Sequence, residues 1–333
     1  MSLKIAKRLL VAVAGMALSS MVLAAPTFVT IGSGSTSGLY YPTAVGIAKI
    51  INESDADMRA NARSTGASVF NANAIGEGSL QMGIVQNNIA HYALEGEGVE
   101  AFEGKPVENL RGMASLYPEQ IHILARTDSE IEGIGDLAGK RVYVGDVGSG
   151  TEADAHNILA AYDISFDDLK STVRGSSGDA VNLLRDDRID AMFYTVGLGS
   201  SAIVEAAQTA PITILSIDDD KLADLTDEYS FYTEFTIPGG TYPDVNDDEQ
   251  TITLQAMLAV SADMTEDDVY TFMKTVWDDN LDTFYEDVQN PNLKKYFKVE
   301  DALNGMSIPL HPGAVKFYEE QGVEVPDDLQ PSA

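Results

Sequence analysis

Two turns built from glycine and hydroxyl residues, Gly32-Ser33-Gly34-Ser35-Thr36-Ser37-Gly38 and Gly145-Asp146-Val147-Gly148-Ser149-Gly150-Thr151, each stand between a strand-like run and an amphipathic helical pattern. A helix entered in this way leaves its first N–H groups unpaired and carries a partial positive charge at that end, and glycines let an anion come close. Two such turns in matching positions point to a ligand gripped from both sides.

Periodicity places the turns in a repeating pattern. Thr27 to Ile31 reads as a strand, and after the first turn Ala44, Ile47, Ala48 and Ile51 fall at helical spacing, with Pro42 tolerated in the first turn. Met82 to Gln86 reads as a short buried strand followed by a helix through Ile89 and Leu94. An apolar stretch from Gly112 to Arg126 precedes a second round of the pattern. There Arg141 to Val144 is a strand, Ala155, Ile158, Leu159 and Tyr162 mark a helix face, Asp179 to Arg185 is a further helix, and Ala191 to Val196 is a buried strand. Alternating strands and helices predict parallel sheets with helices on both faces, and ligands beyond the carboxyl ends of the strands.

A loop of turn formers and acids from Pro238 to Glu249 leads into a strand-like run from Thr251 to Ser261. This second crossing makes the middle of the chain an inserted domain and returns the C-terminal part to the first. Beyond it, Val269, Phe272, Met273, Val276, Asn280 and Phe284 predict one long helix with an apolar stripe, its aromatics and Trp277 belonging to the core.

The first 24 residues read as a secretory leader, with a basic start (Lys4, Lys7, Arg8), an apolar stretch from Leu9 to Leu23 and small residues at Val22-Leu23-Ala24. The apolar stretch falls short of the ~20 residues that span a bilayer. No Cys follows it to take a lipid, so the expectation is a soluble exported protein starting at Ala25, in the periplasm. Removing three basic residues leaves 18 Lys+Arg against 52 Asp+Glu, a formal charge of −34. Such a chain repels nucleic acid and anionic lipid, and the acidity reads as a solvated surface suited to a salty medium.

Zero cysteines exclude disulfides, thiolate metal sites and cysteine nucleophiles. The first turn misses the dinucleotide fingerprint by one position, and neither turn continues into the Gly-Lys-Ser/Thr of a phosphate-binding loop. No centred Gly-x-Ser-x-Gly marks a hydrolase elbow in either turn. His91, His122, His156 and His311 are dispersed without metal-ligand spacing, and the acidic runs Asp218-Asp219-Asp220 and Asp244 to Glu249 lack the glycine and terminal glutamate of a calcium loop. Neither catalysis nor a cofactor or metal is expected. Two alternatives stay open at this stage: an NAD-dependent oxidoreductase, and a secreted adhesive or immunogenic surface protein.

Neutral polar groups cluster beside the turns. Ser33, Ser35, Thr36 and Ser37 add hydroxyls to the first helix start, Tyr40 follows one turn on, Thr65 and Ser68 lie in another turn entering a helix, and Gln86, Asn87 and Asn88 end a buried strand. Together they fit a small carboxylate held by N–H and O–H donors.

The segments Ile31-Gly-Ser-Gly-Ser-Thr-Ser-Gly-Leu-Tyr-Tyr-Pro42, Ser64-Thr-Gly-Ala-Ser68, Ile84-Val-Gln-Asn-Asn88, Val144-Gly-Asp-Val-Gly-Ser-Gly-Thr151 and Ile308-Pro-Leu-His-Pro-Gly-Ala-Val-Lys-Phe-Tyr318, in this order, resemble the TAXI family. These are the substrate-binding subunits of tripartite ATP-independent periplasmic (TRAP) transporters. The resemblance implies a two-lobed α/β receptor of the type II, Venus-flytrap class, each lobe a mostly parallel sheet flanked by helices. Lobe I is expected at 25–122 and 254–333, and lobe II at 123–253. It also implies a monomer that hands glutamate, or a C4–C5 dicarboxylate such as 2-oxoglutarate, to sodium-coupled membrane subunits. The pocket is then expected at Ser33, Gly34, Ser35, Thr36, Ser37, Gly38, Tyr40, Thr65, Gln86 and Asn88 on one lobe and Gly148, Ser149, Gly150, Thr151 and Tyr194 on the other. The sequence departs from the family at Ser35 and Ser37, where glycines are frequent, and at Val147 and Gly199, where prolines are common.

Overall fold

The computed structural model describes residues 25–331, and the expected leader at 1–24 lies outside the described residues. Ten strands form one strongly curled sheet: β1 (Thr27–Gly32), β2 (Met58–Arg63), β3 (Met82–Gln86), β4 (Leu110–Arg126), β5 (Arg141–Tyr143), β6 (Ser171–Val173), β7 (Ala191–Val196), β8 (Ile212–Ile214), β9 (Thr233–Ile237) and β10 (Glu249–Ser261). Their order is β2-β1-β3-β10-β4-β7-β5-β6, with β8 added on β4 and β9 on β10.

The sheet is mixed, which corrects the expectation of parallel sheets. The outer pairs β1–β2, β1–β3, β5–β6 and β5–β7 are parallel, as helical crossovers require. The central strands β4 and β10 are antiparallel to each other, β10 also to β3 and β9, and β4 also to β7 and β8. The cause is their length. Each runs out of one half of the sheet and straight into the other, so it keeps the direction of the half it leaves and opposes the strands of the half it enters.

The apolar cores divide at these two strands. On β4, Met113 to Tyr117 belong to the core built on the helix Tyr40–Glu53 and the C-terminal helices, whereas Ile121 and Ile123 pack with Ile158, Leu159 and Phe193. On β10 the change falls between Leu254 and Ala256. The register of β10 against β4 shifts on either side of Met257 and Leu258, next to this division. Such bulges bend a strand and sharpen its twist. The C-terminal part packs on the first half, with Tyr318 donating to the carbonyl of Met113 at 2.8 Å.

The long helix expected after Thr265 is broken. It runs as Glu266–Met273, a π-helical turn Lys274–Asp279, and Leu281–Val288. The wider turn lets Val276 and Trp277 be buried side by side, Trp277 stacking on Phe297 with centroids 4.8 Å apart. Asn280 closes the break, its side chain donating to the Thr275 carbonyl at 2.9 Å. Periodicity of 3.6 residues cannot register a π turn, which is why the stripe read as continuous.

Candidate ligand-binding site

One cleft between the two halves is lined by Gly34, Ser35, Gly38, Leu39 and Tyr40 from the first turn, Thr65 to Ser68 from the next, Gln86 from the end of β3 and Glu119 from the middle of β4. The opposite wall carries Tyr143, Asp146, Ser149, Gly150, Thr151, Ser177 and Tyr194 to Val196. The space in the cleft, open solvent at its mouth included, is about 540 Å³.

Four helices begin at this cavity: Tyr40–Glu53, Ser68–Gly76, Gly150–Ala161 and Ser177–Arg185. The first two have no side-chain cap; the leading N–H groups of the first are left for another partner, whereas Val69 and Phe70 of the second already have a backbone acceptor. Each start adds partial positive charge. Ala67, which opens the second of them, has φ +70° without being glycine. Strain of this kind costs ~1–3 kcal/mol and gathers at functional sites.

The two halves touch across the cleft. The Gly148 carbonyl accepts from the N–H groups of Val69 (3.0 Å) and Phe70 (3.4 Å), which draws on the start of the second helix. Hydroxyls form a chain, Ser35 to Ser37 at 2.8 Å, Ser37 to Ser177 at 2.8 Å and Ser177 to Tyr194 at 3.2 Å. Asp154 on the helix Gly150–Ala161 accepts from Asn88 (2.9 Å) and Gln86 (3.2 Å) of the first half, and from Thr195 (2.7 Å) and Tyr232 (2.8 Å) of the second. Burial raises the Asp154 pKa to about 6, and the four donors hold it from going further.

Glu119 stands on β4 where the halves meet and is 2 % exposed. The Tyr40 hydroxyl donates to one of its oxygens at 2.7 Å, and the other has no hydrogen-bond partner among the described residues. Burial pushes its pKa up to about 8, the Tyr40 bond lowers it and the Asp154 charge adds to the rise. No Lys, Arg or His lines the cavity among the described residues.

Of the expected pocket residues, Gly34, Ser35, Gly38, Tyr40, Thr65, Gln86, Ser149, Gly150, Thr151 and Tyr194 line this cavity. Five others stand elsewhere. Ser33 is fully buried and donates to the Arg63 carbonyl at 2.8 Å. Asn88 is buried behind the wall on Asp154. Thr36 and Ser37 line a neighbouring, more open pocket together with Asp179. The Gly148 N–H donates to Glu152 at 3.0 Å. Among those that do line it, the Ser149 hydroxyl caps its own helix by accepting from Glu152 N (3.1 Å), Thr151 Oγ1 accepts from Thr195 N (3.2 Å), and Thr65 Oγ1 donates to the Ser33 carbonyl at 2.7 Å. Their hydroxyls shape the wall as much as they face into it.

Glu119, Tyr143, Asp146, Asp154 and Ser177 were not anticipated. Two left a trace in the sequence. Glu119 is an acid inside an otherwise buried strand, and Asp154 lies four residues before Ile158 on an apolar helix face. Two of the histidines are held by structural hydrogen bonds. Buried His122, its pKa lowered to about 4 by desolvation, pairs with the Tyr242 hydroxyl at 2.7 Å, and His311 accepts from Gly313 N at the start of its own helix. No cluster of three or more His, Cys, Asp or Glu positioned for a metal occurs among the described residues, and none of their helices is long and apolar enough to cross a membrane.

A solved structure from Bordetella bronchiseptica RB50 matches with a TM-score of 0.52 at 16% identity, covering 91% of each chain. The alkanesulfonate-binding protein SsuA from Xanthomonas axonopodis pv. citri, bound to MOPS, matches at 0.49 and 14%, covering 93% of this chain and 96% of its own. An ABC uptake transporter substrate-binding protein from Streptococcus pneumoniae with bound histidine matches at 0.46 and 12%, covering 82% and 93%. The chain shares the α/β fold of the Bordetella structure. The model of the NMT1-like family matches residues 31–322, nearly the whole described chain, and the protein belongs to that family.

Proposed function

We propose that the chain is a periplasmic solute receptor and not an enzyme. It binds a small organic acid between a lobe formed by 25–122 and 254–333 and a lobe formed by 123–253, and delivers it to the membrane subunits of a TAXI-type TRAP transporter. The ligand class is an acidic amino acid such as glutamate, or a C4–C5 dicarboxylate such as 2-oxoglutarate. The observation that carries this reading is the convergence of four helix starts, two from each side, on one cavity. The N–H groups left unpaired at these starts, with the partial positive charge of each helix, would hold a carboxylate where no cationic side chain lines the cavity.

Closure is the working step. Only the closed form brings both sets of helix starts to one ligand, so binding shifts the lobes toward it by differential contact. A thermal-shift screen of the mature chain over amino acids, dicarboxylates and sugars tests the reading. A carboxylate at ~100 times its Kd stabilises the native state by ~2.7 kcal/mol, enough to raise the midpoint by several degrees. No rise with any carboxylate would overturn it.

A further inference from the structure

The cavity that fits an anion at its helix starts also holds acids and no neutralising cation. Glu119 and Asp146 line it, and the Asp154 carboxylate lies behind its wall. A dianion placed here would meet carboxylates with only helix starts and hydroxyls to balance it, in a chain whose net charge is already strongly negative. A ligand that carries a positive group as well as a carboxylate meets the opposite situation.

Glu119 is built to receive such a group. Its unpartnered oxygen belongs to a residue that lines the cavity, and the Tyr40 hydroxyl holds the other oxygen at 2.7 Å. Tyr40, Tyr143 and Tyr194 also line the cavity and bring no positive charge to it. The titratable groups that bear on Glu119 are Tyr40 from the helix Tyr40–Glu53, Tyr117 from its own strand, Tyr194 from β7 and Asp154 from the helix Gly150–Ala161. None of them is cationic.

We propose that Glu119 is the specificity-determining residue of the pocket and reads a protonated amine on the ligand, while the helix starts take the ligand's carboxylate. The site therefore selects an α-amino acid over the oxo-acid or dicarboxylate of the same length. This rests on the receptor reading above and narrows it.

The direct test is titration calorimetry of the mature chain with matched pairs, L-glutamate against 2-oxoglutarate and L-alanine against pyruvate. Each oxo-acid keeps the carboxylates and replaces the amine by a ketone. In at least one pair the amino acid is expected to bind ~10-fold tighter or better, the scale of a hydrogen bond between charged groups. Oxo-acids that bind as well as or better than their amino acids would overturn the role of Glu119 and leave the receptor reading standing. Binding by neither these compounds nor any other carboxylate would overturn both.

Glu119→Gln is expected to lose ~10-fold or more in affinity for the amino acid and to leave the weak oxo-acid affinity unchanged. An equal loss for both would indicate a merely structural role. Should that variant fail to fold, the wild-type pH profile decides. An amine bound by ionised Glu119 must displace its proton, so affinity rises from pH 6 to pH 8.5. If a protonated Glu119 instead donated to a ligand carboxylate, affinity would fall over the same range, and that result would overturn the proposal.

Discussion

Gly150→Ala separates closure from folding. Gly150 is the first residue of its helix, and a Cβ there would lie 1.2 Å from Gln86 Oε1 and 2.2 Å from Gln86 Cδ, across the cleft. Carbon contacts need about 3.5–4 Å, so both groups cannot occupy the closed form. Gln86 is 2 % exposed and its amide donates to Asp154 at 3.2 Å. Swinging it away breaks a hydrogen bond to a charged group, worth ~1.5–3 kcal/mol. Keeping the lobes apart instead gives up that bond, the Asn88–Asp154 bond and the Gly148 carbonyl contacts together. At this first helical position the preference for alanine over glycine is smaller than the ~1 kcal/mol of a helix interior.

The two effects have opposite signs and different readouts. The midpoint of the ligand-free protein is expected to hold or rise, whereas affinity for the best ligand of the screen falls ~10–150-fold by calorimetry. Small-angle scattering at ligand concentrations that compact the parent should show a larger radius of gyration for the variant. In a Gln86→Ala background the obstacle is gone, and Gly150→Ala is expected to cost less than ~0.5 kcal/mol in binding. An affinity within about threefold of the parent, or the same loss in both backgrounds, would refute the steric reasoning.

Two further outcomes follow from the same cleft. Ser37→Ala removes the hydroxyl that joins Ser35 to Ser177 at 2.8 Å on each side, and is expected to weaken ligand binding by ~0.5–1.5 kcal/mol in calorimetry. Glu119 has a folded pKa of about 8, raised by burial above its unfolded value, so the folded state holds its proton more tightly and this group's contribution to stability is lost as pH rises through about 8. Glu119→Gln should therefore match the wild-type midpoint at pH 5 and exceed it by a few degrees at pH 8.5 in the absence of ligand, and equal midpoints at both would contradict the buried carboxyl.

The sequence carried the parts of this molecule that depend on neighbours along the chain. The strand at Thr27, the helix face through Ala44 and Ile51, the buried strands ending at Gln86 and Val196 and the turn before Thr151 are each written in a run of a dozen residues, and all stand where periodicity placed them. The direction of β4 and β10 is not local information. It follows from one long strand crossing between two cores, and nothing in the Gly112 to Arg126 run distinguishes a crossing strand from two shorter ones. The site divides along the same line. Glycines and hydroxyls at helix starts are legible because capping has a fixed spacing, yet whether Ser37 faces ligand or Ser177 depends on a residue 140 positions away. The acids show the limit best. In a chain with 52 Asp and Glu, one more at position 119 carries no signal by composition, and only its place in an apolar strand marks it. A buried strand tolerates an ionisable carboxyl where something offsets the desolvation. Tyr40 offsets part of it for one oxygen; the other has no hydrogen-bond partner among the described residues, and the residue lines the same cavity as the helix starts, so the proposed ligand amine would complete the site.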